Sequence, residues 1–199
     1  MKQLIVDYIP FEVRPDQINE SMKENNGKLV VKGILQRADT KNQNGRVYPK
    51  EILMREAKKY SENFVQQKRA MGELDHPESS VVNLQNVSHN VTDMNFNGDD
   101  LVGTVEVLTT PSGNILRELF KNGIKLGISS RGMGSVETMN ENGAQEVQDD
   151  FELIAFDFVS NPSTHGAFLH PMNESVENIA VRDTKYGRVE AVINDIMRG

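Results

Sequence analysis

Apolar positions along this chain follow two different periods, and the places where the period changes mark its elements. Leu29-Val-Val-Lys-Gly-Ile-Leu-Gln36 is a short, nearly continuous apolar run, which predicts a mostly buried strand. Leu53, Ala57, Tyr60 and Phe64 then recur at i, i+4, i+7 and i+11. That spacing predicts an amphipathic helix over 50–65, with Pro49 tolerated at its first turn. Val87–Phe96 and Leu101–Leu108 predict two strands joined by Asn97-Gly-Asp-Asp100, a hairpin signal. Ser112 is placed to cap a short helix carrying Ile115, Leu116, Leu119 and Phe120, and Gly123 to stop it. Leu4–Tyr8 opens the chain as a short strand, and Phe151–Val159 reads as another buried strand, closed by Asn161-Pro162. The stretches between are polar: Arg14–Asn26, ending in the turn signal Asn-Asn-Gly, then 39–46, the compact turn Met71-Gly-Glu-Leu-Asp-His-Pro77, and 140–149.

Strands predominate, so the expected class is α+β, mainly β, with a barrel-like sheet flanked by helices. At 199 residues the chain can bury a real core in one domain. The expected division is a partly flexible N-terminal segment over 1–26, the folded domain over 27–170, and a polar tail over 171–199 in which Val189–Met197 suits a last short helix. A formal net charge of −7 argues against a nucleic-acid binder, which would normally carry a basic stripe. No apolar run is long enough to cross a bilayer. The chain has no cysteine, which excludes disulfides, a thiolate nucleophile and Cys-ligated zinc, and fits a reducing setting. Covalent chemistry would therefore fall to Ser, Thr, Lys or a carboxylate.

Leu126-Gly-Ile-Ser-Ser-Arg-Gly-Met-Gly-Ser-Val136 is the stretch where such chemistry is best supported. Glycine weakens a strand, so three of them in one strand suggest close approach by another backbone or a ligand. Period-two geometry puts Gly127, Ser129, Arg131 and Met133 on one face, and Ile128, Ser130, Gly132 and Gly134 on the other. A serine with a cation two residues on suits a nucleophile beneath a bound peptide; the plain alternative is a Gly-rich edge strand with surface serines. His76, fixed by Pro77, is placed as a general base, against the commoner reading of a surface histidine in a charged turn. His89 falls on a solvated strand face, and His165 and His170 in loop. Asp157 interrupts the apolar run Phe156-Asp-Phe158, where an ionised carboxylate needs a partner. That partner is either a histidine ring N–H, the orienting role in a triad, or a structural hydrogen bond, unless the side chain faces out.

Three motifs, Asn42-Gln-Asn-Gly-Arg-Val-Tyr-Pro49, Gly72-Glu-Leu-Asp-His-Pro77 and Gly127-Ile-Ser-Ser-Arg-Gly-Met-Gly-Ser135, resemble in order and spacing those of the prohead core protein proteases of large tailed bacteriophages. The resemblance runs from about Gly33 to Pro162. It implies a serine endopeptidase with the fold of herpesvirus assemblin, a β-barrel ringed by helices, that cuts scaffold or core and major capsid proteins inside the prohead, within the host cytoplasm, and then itself. It puts the nucleophile on Ser129 and the base on His76. The third member is a second histidine in herpesvirus relatives and a carboxylate on the following strand in other phage relatives, which here means Asp157, with Glu73 as runner-up. Backbone N–H groups of the Gly-rich strand near Gly132, with Arg131, would meet the oxyanion and substrate. Cleavage after Glu in Leu/Ile-x-Glu is implied; Ile18-Asn-Glu20 fits in an accessible polar stretch, while Leu116-Arg-Glu118 should be protected by its helix. No metal or cofactor, no nucleic acid and no membrane are implied, and a homo-oligomer is compatible.

Two other classes stay open on the residues alone. One is a catalytically inactive capsid- or scaffold-associated structural protein of the same fold, against which the joint presence of Ser129, His76 and Asp157 weighs. The other is a metal-dependent hydrolase using Glu73, Asp75 and His76, although that spacing matches none of the usual zinc patterns.

Overall fold

A computed structural model describes residues 2–11, 13–75, 77, 79–139 and 143–160. His76, His165, His170, Pro162 and the tail with Val189–Met197 lie outside the described residues.

The hairpin forms as its pattern predicts. Strands β5 (Val87–Asn97) and β6 (Asp100–Val107) turn through Gly98, whose φ of 63° is one that glycine adopts freely. Strand β2 (Leu29–Arg37) pairs on the far side of β6, and the three-residue β4 (Met71–Glu73) on the far side of β5. A second sheet sets β7 (Leu126–Gly134) between β1 (Gln3–Phe11) and β10 (Glu152–Val159), antiparallel to both. A small third sheet joins β3 (Arg46–Val47), β8 (Val136–Thr138) and β9 (Gln145–Val147). With 43% strand to 24% helix, the chain is α+β and mainly β.

The barrel expected from the strand content is not closed among the described residues: all three sheets are open. The two larger ones meet where Leu74, just past β4, makes one parallel bridge to Phe158 of β10, and where the Asp75 N–H reaches Phe158 O at 2.8 Å. β4 is too short to cover more of that edge. This backbone join sets the chain leading to His76 against the strand that carries Asp157.

Helix α2 (Lys50–Tyr60) starts at Pro49 and runs into a π-helical turn, Ser61–Val65, burying Leu53, Ala57, Tyr60 and Val65. Helix α3 (Pro111–Lys121) is capped by Thr110, not Ser112. Pro111 takes the first helical position, and Thr110 Oγ1 accepts from the Gly113 N–H at 3.1 Å. Gly123, with φ of 69°, ends it as expected.

Arg14–Asn26 is not an open polar stretch. Pro15–Glu24 form helix α1, with Ile18 1% exposed and Met22 packed on the core. Two apolar residues four apart suffice to dock an otherwise polar helix. Phe158 stands edge-on to Phe11 and to Phe120 of α3, at 5.2 and 5.4 Å between ring centres, so α3 and both larger sheets share one core.

Candidate active site

β7 is a central strand, not an edge. In antiparallel register Ser129 faces Tyr8 on one side and Asp157 on the other, while Ser130 faces Asp7 and Phe156. The two adjacent serines therefore serve opposite faces, and both are buried.

On the Ser129 face the sheet carries an ionic cluster. Cross-strand partners hold their Cβ atoms about 5 Å apart, so Ser129 and Asp157 are immediate neighbours. Arg131, two residues on, lies fully buried against Asp157, with Nη2 donating to Oδ1 at 3.2 Å and Nε 2.9 Å from Oδ2. The latter approach is close but poorly aligned, so Oδ2 and Nε are left without a hydrogen-bond partner. Nη2 also donates to Glu73 Oε1 at 3.1 Å, and Nη1 to Ser79 O at 2.7 Å. The Glu73 N–H donates to Asp157 Oδ1 at 3.0 Å, and Glu73 Oε1 accepts from the Asn83 N–H at 3.0 Å. Burial pushes the Asp157 carboxyl up to about 6, against the pull of Arg131 and the Glu73 N–H. Ser129 Oγ, Asp157 Oδ2 and Glu73 Oε2 are all buried and, among the described residues, without a hydrogen-bond partner. Buried polar atoms are seldom left unpaired, and three on one face ask for an explanation.

The Ser130 face carries a paired network. The Ser130 hydroxyl accepts from Gln36 Nε2 at 2.7 Å and donates to Asp7 O at 3.1 Å. The buried Asp7 carboxylate accepts from Tyr48 OH at 2.6 Å, Asn44 Nδ2 at 2.6 Å and Arg46 Nη1 at 2.8 Å. Three residues of the Asn42–Pro49 motif thus hold β1, the neighbour of β7. Burial and the adjacent Asp7 charge raise the Tyr48 hydroxyl well above its ordinary value, so it stays protonated and donates.

His89 is fully buried, not on a solvated face. Its Nε2 lies 2.9 Å from Phe156 O, which can only accept, so Nε2 carries the proton and Nδ1 accepts from Ser88 Oγ at 2.8 Å. Burial lowers its affinity for a second proton to about 4. The ring lies against Gly72, where a Cβ would overlap both His89 Nε2 and Phe156 O. Gly72 therefore lets β4 approach β10 closely enough to deliver Glu73. The Met71–Pro77 stretch is correspondingly strand at its start rather than all turn, and Glu73 points inward.

Of the expected site residues, Ser129, Asp157, Arg131 and Glu73 come together, while His76 lies outside the described residues. Asp157 is engaged by a guanidinium and a backbone amide rather than, among the described residues, by a histidine. Arg131 is tied to two carboxylates and a carbonyl. Gly132 lies on the opposite face, where a Cβ would overlap the Phe151 ring and Glu152 O, so its lack of a side chain serves packing. β7 pairs on both sides, and its register with β10 shifts between Leu153 and Ala155, opposite Gly132 and Arg131. For the metal reading, the guanidinium on Glu73 opposes a cation there.

Against known proteins, the model of the prohead core protein serine protease family matches residues 5–177. The chain belongs to that family. It is 32% identical over 183 residues to the prohead core protein protease of Enterobacteria phage T4, an alignment covering 90% of this chain and 84% of the relative. Its fold matches the solved structure of the bacteriophage T4 capsid assembly protease, gp21, with a TM-score of 0.70 and 27% identity, covering 81% of this chain and 99% of that one. The family is one of peptidases, and its description specifies a serine type.

Proposed function

We propose that this chain is a serine endopeptidase of capsid maturation, acting inside the prohead on phage scaffold or core and capsid proteins, with Ser129 as nucleophile. The observation that carries the assignment is the pairing of Ser129 with Asp157 across neighbouring strands, each with a buried oxygen that has no hydrogen-bond partner among the described residues, the Asp157 one lying 2.9 Å from Arg131 Nε. A triad completed by His76 gives both oxygens work: Ser129 Oγ–H donates to one ring nitrogen, and the other ring N–H donates to Asp157 Oδ2. The anchoring of Asp75 on Phe158 O supports this, because His76 follows it directly in sequence. Arg131 and the Glu73 N–H then orient Asp157, and Glu73 acts through Arg131, not as the third member. His76 takes the Ser129 proton as the hydroxyl attacks the scissile carbonyl, and returns it to the leaving amine.

Ser129 is 0% exposed, so the described state is closed and must open before a carbonyl reaches the hydroxyl. Cleavage follows glutamate in Leu/Ile-x-Glu segments. Cutting after Glu20 of this chain requires α1 to unwind, since Ile18 is held in the core. Glu118 is likewise held in α3.

The test is intact mass of a scaffold fragment containing one Ile-x-Glu site, incubated with wild type and with Ser129→Ala. Cleavage after that glutamate by wild type alone supports the assignment. Equal cleavage by both removes Ser129 as nucleophile. A fragment left whole by wild type, in the presence of assembled prohead shells, supports an inactive structural protein instead.

A further inference from the structure

We propose that the apolar groove on the outer face of α3 seats the C-terminal segment Val189–Met197 of this same chain. The proposal does not depend on the protease reading. α3 turns Leu116 and Phe120 into the core and leaves a second apolar row, Ile115 and Leu119, toward solvent. At its end the Gly123 N–H donates to Phe120 O at 2.9 Å, and the Ile124 N–H to Leu119 O at 3.0 Å. This paired closure turns the chain at Gly123 and brings Ile124 back beside Leu119. Ile115, Leu119 and Ile124 thus floor a groove banked by Asn114, Glu118 and Asn122. Ile115 is 54% and Ile124 46% exposed. Apolar side chains scattered singly on a surface are ordinary, but two flanking one groove at a fixed helix end make a face to be covered. The other exposed pair, Val81 and Leu84, shares its groove with Glu56, Lys59, Arg69 and Glu152, which suits an apolar segment less.

Two observations name the occupant. The first is where the chain goes. β10 ends at Val159, which pairs with Gly127 at the start of β7, and Ile124 lies just before Gly127 in sequence. The chain beyond Ser160 therefore sets out beside the Ile124 end of the groove. About 30 residues separate Ser160 from Val189, a length with a coil dimension of about 30 Å, so distance is no obstacle. Tethering at that range gives an effective concentration on the order of millimolar, enough to seat a segment that would bind only weakly if detached. The second observation is the pattern of the segment. Val189, Val192, Ile193, Ile196 and Met197 recur at i, i+3, i+4, i+7 and i+8, the stripe of an amphipathic helix within an otherwise polar tail. So short a helix is not stable alone in water, and its stripe needs an apolar groove to lie in.

The test uses the whole chain in its Ser129→Ala form, with intact mass checking that the tail is present. The chain has no cysteine, so introduced thiols report one contact without background. Ile115→Cys with Ile193→Cys is treated with a short bismaleimide in dilute solution, beside Val81→Cys with Ile193→Cys as the control. The groove pair should cross-link within one chain about tenfold faster than the control, and Ile196→Asp should slow it to the control rate. In parallel, backbone hydrogen exchange across 119–124 is read in the cysteine-free chain. Ile193→Asp with Ile196→Asp should speed that exchange severalfold, and both changes lie outside the core described above. Equal cross-linking of the two pairs, or exchange that the tail changes leave alone, overturns the proposal. So does a fast groove cross-link that survives Ile196→Asp, since proximity without apolar packing would produce it. Cross-links between two chains overturn it as well, and assign the groove to a second copy.

Discussion

The two faces of β7 carry adjacent serines, each beside a buried acid and an arginine, and they differ in one respect. Around Ser130 the oxygens and nitrogens of Ser130, Gln36, Asp7 and Tyr48 are all paired, while Arg46 Nε and, in the same motif, Asn42 Nδ2 are left over among the described residues. Around Ser129, among the described residues, Ser129 Oγ and Glu73 Oε2 have no hydrogen-bond partner, and Asp157 Oδ2 and Arg131 Nε meet only each other in a poorly aligned ion pair. An unsatisfied buried polar atom costs about 1–3 kcal/mol, so a fold gains nothing by keeping such atoms together in one place. Saturation marks the Ser130 side as scaffold, and its absence marks the Ser129 side as a site awaiting another group. A buried serine on a glycine-rich strand says little until its partners are counted.

The widest separation should come from alanine at each serine. Ser129→Ala is expected to lower kcat/KM on a peptide substrate by about 10,000-fold or more while leaving urea stability nearly unchanged. Ser130→Ala should lose about 1–2 kcal/mol of stability, because Gln36 Nε2 is stranded, and keep kcat/KM within about tenfold. Reversal of that pattern would break the comparison outright. The arginines come next. Arg131→Met leaves Glu73 and Asp157 facing each other without their counter-ion and should destabilise by about 3–5 kcal/mol. Arg46→Met should cost less in the same denaturant melts, because Arg46 is 20% exposed and Asp7 keeps Tyr48 and Asn44.

Much of this was legible in the sequence, and the gaps have physical causes. The hairpin follows from its turn signal, α2 from an unbroken period of 3.6 and β10 from its apolar run, and Ser129 and Asp157 stand out as polar residues inside strands. Asp7 sends the same signal as Asp157, a charge within Leu4-Ile-Val-Asp-Tyr8, and could have been found by the same rule. The role of Arg131 could not: that it meets Asp157 and not solvent depends on strand order, which local pattern does not encode. His89 was misplaced because polar and apolar residues alternate along β5, which ordinarily means one wet face. Here β10 and Gly72 cover that face. Barrel closure failed as an inference because strand count sets how much sheet is available, not whether its edges meet.

The pH dependence separates the faces more finely, because two buried groups act with opposite sign. His89 is held neutral, with an affinity lowered from 6.5 to about 4. Its contribution is complete above 6.5 and falls by about 3 kcal/mol as pH drops toward 4. Asp157, raised from 3.8 to about 6, favours the protonated form when folded, so its contribution is complete below 3.8 and is lost as pH rises through 6. The two largely offset each other between pH 4 and 6. Denaturant melts across that window should show Asp157→Asn losing stability on acidification more steeply than wild type, and His89→Gln gaining it. Parallel curves for all three would mean that neither burial acts on titration. In activity, the proposed role of Asp157 places its ionisation on the acid limb of kcat/KM. Arg131→Met should move that limb to higher pH by withdrawing the cation that favours ionised Asp157.

The smallest effect tests the scaffold side alone. Gln36 donates to Ser130 through Nε2, and its Oε1 accepts from the Arg37 N–H at 2.9 Å, beside the bulge between Ile34 and Gln36 in β2. Gln36→Leu keeps much of the side-chain volume but removes both contacts, and should cost about 1 kcal/mol in denaturant melts. Ser130 retains Asp7 O as acceptor, so its hydroxyl is not orphaned and β1 stays in register with β7. The kcat/KM of this variant should match wild type, because nothing on the Ser129 face has moved. A fall in kcat at unchanged stability would show that the two faces communicate through β7, and that the saturated side helps to place the nucleophile.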